Sequence, residues 1–307
     1  MRIVVTGAGG LIGPVLIRQL RADGHQVLRL VRRQPRTADE VRWDPRPASS
    51  SGAFTSETVA ALEGLDAAVH MAGAPIASRR WTAAVKEEIR ASRVEGTQAL
   101  AAALAGLRQP PAVLLSGSAV GWYGNTGDRE VDETASSGTG FLAEVAAAWE
   151  ASTAAAERAG IRVVHMRTGI VLSKDGGMLG RLLPLFRLGL GGRLGPGTQF
   201  ISWIMLADVV RVMRFLLDKP ELSGPVNLTA PNPQTNAGFT AALAAAVHRP
   251  ALLRLPSPVL DLALGEAASE LLTSARVLPA RLLEAGYVFW RADLDSALAS
   301  ELHGDGP

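Results

Sequence analysis

The stretch VVTGAGGLIGPVL, residues 4–16, limits what this 307-residue chain can fold into more than any other segment. An apolar strand pattern leads into a turn with Gly7, Gly10 and Gly13, and an apolar helical pattern begins directly after it. Gly7 would allow the tight turn, Gly10 the approach of a phosphate to the backbone, and Gly13 the close packing of helix on strand. Because free N–H groups at a helix amino terminus bind phosphates, the stretch predicts a dinucleotide site, with a ligand-free glycine turn as the alternative.

Strand-length apolar runs alternate with helical patterns through the first half of the chain. The predicted strands are Arg2–Thr6, Gln26–Val31, Asp66–Gly73, Ala112–Ser118 and Ile161–Gly169, and the predicted helices are about Ile12–Ala22, Lys86–Leu104 and Phe141–Arg158. Continuous apolar runs are typical of buried parallel strands, and their alternation with helices implies crossover connections. The pattern predicts an α/β fold with a Rossmann-type, doubly wound parallel sheet and a smaller C-terminal substrate lobe.

Three parts of the chain are predicted. They are a dinucleotide-binding domain at 1–170, to which residues of about 200–230 return, a mixed substrate lobe at 171–250, and a small helical C-terminal domain at 251–299. Arg33–Ser56 is rich in Pro, Ser, Arg and Asp and predicts a long surface excursion, in which VRWDP is a candidate short strand. Gly189–Gly197 predicts a glycine-rich loop. Ser257–Leu272 is amphipathic at helical spacing, which favours packing on the lobe over membrane binding.

The composition excludes several classes of protein. With 48% hydrophobic and 20% charged residues the chain is typical of globular proteins, and a net charge of +2 with 5% aromatic residues does not favour nucleic-acid binding. The absence of cysteine excludes disulfides and thiolate ligands, and the five scattered histidines predict no metal site. No apolar run reaches about 18 residues, and the first one is too short for a signal peptide. We expect a cytoplasmic protein that binds a small-molecule substrate and neither nucleic acid nor membranes, with a homodimer left open.

The end of the second predicted strand indicates which cofactor the site would take. NAD sites usually carry Asp or Glu about 20 residues beyond the glycines, to bind the ribose 2′-hydroxyl. No acidic residue occurs between Gly24 and Ala38, and Arg32 and Arg33 end the strand, with Arg36 close by. Guanidinium groups suit a 2′-phosphate by charge and geometry, so the sequence predicts NADP, the alternative being a solvated arginine loop.

Several motifs together resemble a known family. TGAGGLIG, HMAGAPI and LLSGSAVGWYG resemble the extended short-chain dehydrogenase/reductases of the NAD-dependent epimerase/dehydratase group. RRWTAAVKEEIRASRVEGTQAL and MRTGIVLSKDGGML resemble its atypical, epimerase-like subgroup, which ends in a small domain of unknown function. The resemblance covers nearly the whole chain and implies an NADP-binding fold whose substrate is not established. With Arg32, Arg33 and the three turn glycines, the expected cofactor site comprises Gly9, Leu11, Ile12, Met71, Ala72, Gly73, Glu88, Arg93, Ser116, Gly117 and Arg167.

The acid/base pair of the superfamily is missing. Typical members use Tyr-x-x-x-Lys, in which the lysine lowers the pKa of the tyrosine. Tyr123 and Tyr287 are the two tyrosines of this chain, and neither has a lysine four residues later. At the positions that resemble the usual pair, the chain has Phe141 and Val145.

Two other residues are therefore the catalytic candidates. Ser118 stands at the position that resembles the catalytic Ser/Thr of the family, and Tyr123 follows in the same loop. A phenol with its ordinary pKa near 10 is a poor proton donor without a cationic neighbour, which Arg93 or Arg167 would supply by resemblance. The alternative for Tyr123 is packing beside Trp122. His70, at a strand end, is predicted to be a hydrogen-bonded core residue.

The function predicted from these residues is that of an NADP(H)-dependent oxidoreductase or epimerase-like enzyme acting on a small polar substrate. The rival is a non-catalytic NADP(H)-binding sensor or scaffold that has lost the Tyr-x-x-x-Lys chemistry. The missing pair favours the rival, whereas the polar residues at the expected nicotinamide position, such as Ser116, Ser118 and Arg167, favour an enzyme.

Overall fold

The computed structural model describes residues 1–45, 54–76, 79–256 and 266–304. In chain order the strands are β1 (Arg2–Thr6), β2 (Gln26–Val31), β3 (Glu40–Arg42), β4 (Ala67–His70), β5 (Val113–Ala119), β6 (Glu130–Val131), β7 (Arg162–Thr168), β8 (Ile170–Ser173), β9 (Gly192–Leu194), β10 (Phe200–Ile201), β11 (Trp203–Met205), β12 (Gly224–Leu228), β13 (Gln234–Thr235), β14 (Leu253–Leu255) and β15 (Arg276–Val277). The helices are α1 (Gly13–Ala22), α2 (Ser56–Leu62), α3 (Ala83–Ala105), α4 (Phe141–Ala151), α5 (Ala154–Arg158), α6 (Gly177–Arg187), α7 (Leu206–Leu217), α8 (Asn236–Ala246), α9 (Ala267–Leu272), α10 (Ala280–Glu284) and α11 (Leu294–His303).

A parallel sheet of seven described strands, in the order β12-β7-β5-β4-β1-β2-β3, forms the centre of the molecule. β1 pairs with β2 on one side and with β4 on the other, so the winding direction reverses at β1. In sheets of this kind ligands bind in the crevice at the carboxyl ends of the strands beside that reversal. The predicted Rossmann-type, doubly wound α/β fold is confirmed, and the glycine turn after β1 lies at the reversal.

The side chains of β1 alternate between two helical layers. Ile3 and Val5 pack in a core with α1 and α7, whereas Val4 packs in a core with α3 and α5 on the opposite face. β1 is apolar at nearly every position because both of its faces are buried.

Several predicted boundaries are wrong for identifiable reasons. The helix predicted over Phe141–Arg158 is interrupted after Ala151, where the hydroxyls of Ser152 and Thr153 donate to backbone carbonyls at 2.7 and 2.8 Å. Such hydroxyls compete with the helical hydrogen bonds. The strand predicted over Asp66–Gly73 ends at His70, and residues 71–73 form an extended loop.

The predicted excursion Arg33–Ser56 is only partly a surface loop. β3 lies within it and joins the central sheet as the edge strand beside β2, so VRWDP does carry a strand at its start. Trp43, directly after β3, is buried in the core. Residues 46–53 lie outside the described part of the chain.

The second lobe is formed by α6, α8, α11 and short strands around a core that contains Trp203 and Phe239. The predicted loop Gly189–Gly197 is in part a strand, because β9 pairs there with β14. Position 192 has no room for a side chain, because a Cβ on Gly192 would lie 2.4 Å from the carbonyl oxygen of Leu253.

The predicted C-terminal domain at 251–299 does not form a core of its own among its described residues. Tyr287 and Phe289 pack in the core of the central sheet, Val277 packs beside Tyr123, and Leu298 packs in the core of the lobe. Of the amphipathic segment Ser257–Leu272, α9 is described and residues 257–265 lie outside the described part. None of the described helices has the length and apolarity needed to cross a membrane.

Candidate functional site: the crevice at the carboxyl ends of the strands

Two of the turn glycines are required by the protein's own backbone. Gly7 has φ +70°, and a Cβ on it would lie 2.8 Å from the carbonyl carbon of Met71. A Cβ on Gly13 would lie 2.6 Å from the carbonyl oxygen of Gly7. Any side chain at either position would therefore push α1 or residues 71–72 away from β1.

The other two glycines face open space. A Cβ on Gly9 would meet nothing within 4 Å, and one on Gly10 would meet only the carbonyl oxygen of Gly7, at an ordinary 3.4 Å. The amino terminus of α1 beside them has no side-chain cap and no acidic residue in its first turn. Because uncapped N–H groups and a positive helix end attract anions, this bare surface fits a bound pyrophosphate.

The two arginines after β2 differ in their partners. Arg33 donates two hydrogen bonds, of 2.7 and 2.6 Å, to the carboxylate of Glu40, whereas the exposed Arg32 forms no ion pair with any described residue. The hydrogen bonds from Arg33 and from the backbone N–H of Arg36 lower the pKa of Glu40 to about 2. Arg32 is thus the arginine left available to a 2′-phosphate, and the expected equal role of Arg33 is not supported.

The loop that follows β4 is fixed by His70. The Thr6 hydroxyl accepts hydrogen bonds from the N–H groups of Met71 and Ala72, at 3.1 and 3.2 Å, so its own proton points to His70 Nδ1, 2.7 Å away. His70 Nε2 then donates to the hydroxyl of Thr97 at 2.9 Å. Burial lowers the pKa of His70 to about 4, which keeps the ring neutral in this role. The structure confirms His70 as a hydrogen-bonded core residue that holds the loop 71–73 beside Gly7.

Arg93 on α3 is a buried cation without a carboxylate partner among the described residues. It is 8% exposed, donates from Nη1 to the carbonyls of Ala74 and Ile89 at 3.0 Å each, and lies over the ring of Trp149. Burial lowers the pKa of Arg93 to about 10. An unpaired buried charge is costly, so an anionic ligand would stabilise this side chain.

Glu88 was expected beside Arg93 at the cofactor site, but the two side chains leave α3 in different directions. The two positions are five residues apart, which places them about 140° apart around the helix. Glu88 is half exposed and forms an ion pair with Arg79 at the surface.

Leu11, Ile12, Ser116 and Gly117 have packing roles in the structure. Leu11 lies against Gly176 of the second lobe, and Ile12 packs on the core of the central sheet. Ser116 is fully buried, and a Cβ on Gly117 would lie 2.7 Å from the Trp149 ring. The buried side chain of Ser116 therefore does not line the crevice as open surface, whereas Leu11 and Ile12 are partly exposed.

A buried polar cluster, formed by Ser118, Glu150 and Arg167, lies at the ends of β5 and β7. Ser118 Oγ donates to Glu150 Oε1 at 2.6 Å, and Arg167 Nε and Nη2 donate to the two carboxylate oxygens at 2.8 and 3.0 Å. Burial alone would lower the pKa of Arg167, but the hydrogen bonds that Arg167 donates to Glu150 and Tyr123, together with the charges of these two groups, outweigh burial and raise that pKa. Ser118 and Arg167 are register partners on adjacent strands, which explains why the topology brings them together.

The structure does not support Tyr123 as a proton donor to substrate. The side chain is 3% exposed, its hydroxyl donates to Asn227 Oδ1 at 2.7 Å, and it accepts from Arg167 Nη1 at 3.0 Å. Burial raises the pKa of Tyr123 to about 12, despite the neighbouring Arg167. The proton of the hydroxyl is donated to Asn227 and its oxygen accepts from Arg167, so the structure gives Tyr123 a structural contact with Arg167 in place of the expected catalytic role.

Sequence reasoning missed two members of this site, Glu150 and Asn227. Glu150 lies on α4 at the end of the apolar run VAAAW, where a glutamate at a buried helical position is itself a signal. Asn227 interrupts the apolar strand β12 in the same way. The partners of both residues are distant in sequence, so neither signal indicated which side chain it would bind.

The chain is similar to known proteins in sequence and in fold. The model of the NAD dependent epimerase/dehydratase family matches residues 3–229, and a domain of unknown function, DUF1731, matches residues 255–301. An epimerase family protein of Mycobacterium tuberculosis is 48% identical over 96% of each chain. The crystal structure of the human epimerase family protein SDR39U1 with NADPH superposes with a TM-score of 0.89 at 34% identity, and covers 99% of this chain and 100% of that one. A nucleoside-diphosphate sugar epimerase from Corynebacterium glutamicum has a TM-score of 0.79 at 37% identity, over 98% of this chain and 58% of that one.

Proposed function

The chain belongs to the NAD dependent epimerase/dehydratase family, and we propose that it is an NADP(H)-dependent oxidoreductase acting on a small polar substrate. The observation that carries the cofactor assignment is the contrast within the glycine turn. Gly7 and Gly13 are needed by the protein itself, whereas a Cβ would fit on Gly9 and Gly10, and in this proposal their lack of side chains leaves room for the pyrophosphate.

Other cofactor contacts follow from the same crevice. The backbone of Met71, Ala72 and Gly73 borders the glycine turn, and the unpaired guanidinium of Arg93 lies against Gly73. Arg32 would hold the 2′-phosphate, since its neighbour Arg33 is already bound to Glu40. The human relative that contains NADPH supports this choice of cofactor.

The buried cluster supplies the chemistry in this proposal. A bound nicotinamide would donate or accept the hydride. Ser118 Oγ would contact the reacting oxygen of the substrate, pass that oxygen's proton to Glu150 Oε1 when an alcohol is oxidised, and return it when a carbonyl is reduced. Arg167 holds the carboxylate of Glu150 through two hydrogen bonds and, through its remaining N–H groups, would stabilise negative charge on the substrate oxygen. The substrate itself would lie under the second lobe, between residues 178–197 and the C-terminal segment.

The second candidate function is a non-catalytic NADP(H) sensor. It is favoured by one observation, the engagement of the Tyr123 hydroxyl with Asn227 and Arg167, which leaves the crevice without a free phenol. The two candidates share the cofactor and differ in turnover.

The cofactor assignment is tested by titrating the protein with NADPH and NADH and following cofactor fluorescence. We expect NADPH to bind at least tenfold more tightly, a difference of about 1.4 kcal/mol or more. Arg32→Ala should abolish this preference, Arg33→Ala should reduce it less, and Arg90→Ala, at an exposed position of α3, should leave it unchanged. Equal affinities in the parent protein would refute the assignment to NADP.

Turnover is tested by screening small carbonyl compounds for NADPH oxidation. With any compound that is reduced, Ser118→Ala should lower kcat about 100-fold, because one donor to the developing oxyanion is removed. Tight NADPH binding without turnover of any compound would favour the sensor.

A further inference from the structure

We propose that the C-terminal brace, residues 274–281, positions Arg167 of the buried cluster through Asn227 and Tyr123. The domain of unknown function would then act, in this segment, as a support of the site rather than as a separate binding unit. The mechanistic meaning of this positioning rests on the proposed function of the cluster.

The brace is attached to the loop that carries Tyr123. β15 pairs in parallel with β6, with Arg276 opposite Glu130 and Val277 opposite Val131. The backbone N–H of Thr126 donates to the carbonyl of Ser274 at 2.7 Å. Val277 is fully buried against Tyr123 and Val131, so the brace contacts this loop through both backbone and side chains.

Asn227 connects the brace to Tyr123 with a fixed amide orientation. Its Nδ2 donates to the carbonyl of Leu278 in the brace at 2.9 Å, and its Oδ1 accepts from the Tyr123 hydroxyl at 2.7 Å. Its backbone N–H donates to Glu133 at 2.9 Å. A flipped amide would place a donor against the phenolic proton and an acceptor against a carbonyl, so a single orientation satisfies both contacts.

Tyr123 in turn fixes the one nitrogen of Arg167 that Glu150 does not hold. Nε and Nη2 of Arg167 are bound to Glu150, and Nη1 donates to the Tyr123 hydroxyl at 3.0 Å. The guanidinium also lies 3.9 Å from the centre of the Trp122 ring. Each nitrogen of Arg167 thus has a partner, and the hydrogen bonds run without interruption from the brace to the carboxylate that binds Ser118.

Tyr287, the other tyrosine of the chain, provides a matched control from the C-terminal segment that follows the brace. Tyr287 is buried and its hydroxyl donates to Asp208 Oδ1 at 2.9 Å. Burial also raises the pKa of its phenol. The hydrogen bond of Tyr287 does not involve the buried cluster, so loss of its hydroxyl should affect stability without moving Arg167.

The decisive measurement needs neither cofactor nor substrate. It follows the ¹H–¹⁵N resonance of Arg167 Nε in the full-length protein, assigned by its loss in Arg167→Lys. We expect the Tyr123→Phe and Asn227→Leu variants to shift this resonance and to speed its exchange with water at least tenfold, whereas Tyr287→Phe leaves both unchanged. An unchanged resonance in both variants would overturn the proposal, even if their thermal stability falls.

Asn227→Asp gives a second readout that a purely structural role would not produce. The ionised carboxylate faces the carbonyl of Leu278 and repels it, whereas the protonated carboxyl can donate to that carbonyl and restore the connection. The Arg167 resonance of Asn227→Asp should therefore approach that of the parent as the pH is lowered, and a pH-independent resonance would contradict the proposal.

Activity separates this inference from the proposed function. With a compound that the parent reduces, Tyr123→Phe and Asn227→Leu should each lower kcat about tenfold while the Kd for NADPH changes less than twofold. The double variant should be no worse than the more affected single variant, because both substitutions break one connection. A parent without turnover would refute the proposed function, and the resonance of Arg167 would still decide whether the brace positions it.

Discussion

The glycine turn (residues 7–13) and the buried cluster of Ser118, Glu150 and Arg167 lie at two ends of one crevice and are built in opposite ways. The glycine turn works by the absence of side chains, within seven consecutive residues. The buried cluster works by polar and charged side chains from β5, α4 and β7, and its hydrogen-bonded pairs are 32 and 17 positions apart in the chain. One region leaves space for a ligand, and the other is held together by hydrogen bonds among its own side chains.

This difference separates binding from stability in the two regions. Within the glycine turn, Gly9 and Gly10 contribute nothing to the protein's packing, so their replacement should affect the ligand alone. Within the buried cluster, removal of Glu150 or Arg167 leaves the other side chain buried without its counter-charge, since the two are 7% and 3% exposed. Substitutions of Gly9 and Gly10 should change affinity, and those of Glu150 and Arg167 should change folding first.

The largest expected effect is the loss of cofactor binding in Gly10→Val. A Cβ fits at this position at 3.4 Å from the nearest protein atom, but the branched side chain would occupy the space proposed for the pyrophosphate. NADPH affinity measured by fluorescence titration should fall at least a thousandfold, which corresponds to about 4 kcal/mol. The melting temperature without ligand should stay within a few degrees of the parent.

Gly13→Ala is the matched control for this prediction. Its single methyl group would lie 2.6 Å from the backbone of Gly7, so the protein should lose stability before it loses its ligand. Normal NADPH binding by Gly10→Val would show that the glycine turn is a packing device and would remove the basis of the cofactor assignment.

The second prediction concerns Glu150→Gln in the buried cluster. The substitution keeps the shape of the side chain but leaves the Arg167 guanidinium buried without a counter-charge, which should lower the free energy of unfolding by about 3 kcal/mol. Urea denaturation measures this loss. At urea concentrations below the unfolding midpoint, the NADPH affinity of Glu150→Gln should change much less than that of Gly10→Val.

Glu144→Gln serves as the control, because this glutamate is on the same helix but exposed. Equal stability of the two variants would mean that Glu150 and Arg167 do not depend on each other, and the contrast between the two regions would then fail.

The sequence predicted the glycine turn residue by residue because all its determinants are local. A strand, a turn with special backbone angles and a helix start are each visible in consecutive residues, and Gly7 and Gly13 have the structural roles expected of them. The order of apolar and helical segments also predicted the sheet, since parallel strands with both faces buried leave a continuous apolar signal.

The buried cluster could not be predicted in the same way because its contacts join distant positions. Nothing in the sequence around Glu150 indicates that Arg167 and Ser118 would bind it, and nothing near Tyr123 indicates Asn227. The interpretation of Tyr123 as a proton donor failed for this reason. The pairing of Arg33 with Glu40 is short-range, but Glu40 lies just beyond the stretch Gly24–Ala38 that contains no acidic residue. The sequence therefore did not predict this ion pair.

The third prediction uses His70, which is hydrogen-bonded to neighbours of both regions. Its ring hydrogen-bonds to Thr6, next to the glycine turn, and to Thr97, which also accepts from Trp149 beside Glu150. His70 has a lower pKa in the folded protein, about 4, than the ordinary value of 6.5 expected in the unfolded chain. Its stabilising contribution is therefore complete above about pH 6.5 and is lost as the pH falls towards 4, because only the unfolded chain takes up the proton in that interval.

Over this pH interval the parent should lose on the order of 2 kcal/mol of unfolding free energy through His70, measured by urea denaturation at several pH values. In His70→Asn the loss should be much smaller, because an amide can accept from Thr6 and donate to Thr97 without titrating. His303→Gln, at an exposed position, should retain the full dependence of the parent. If His70→Asn keeps the parent's acid sensitivity, the neutral ring is not what holds the loop 71–73 against Gly7, and the two regions do not share this support.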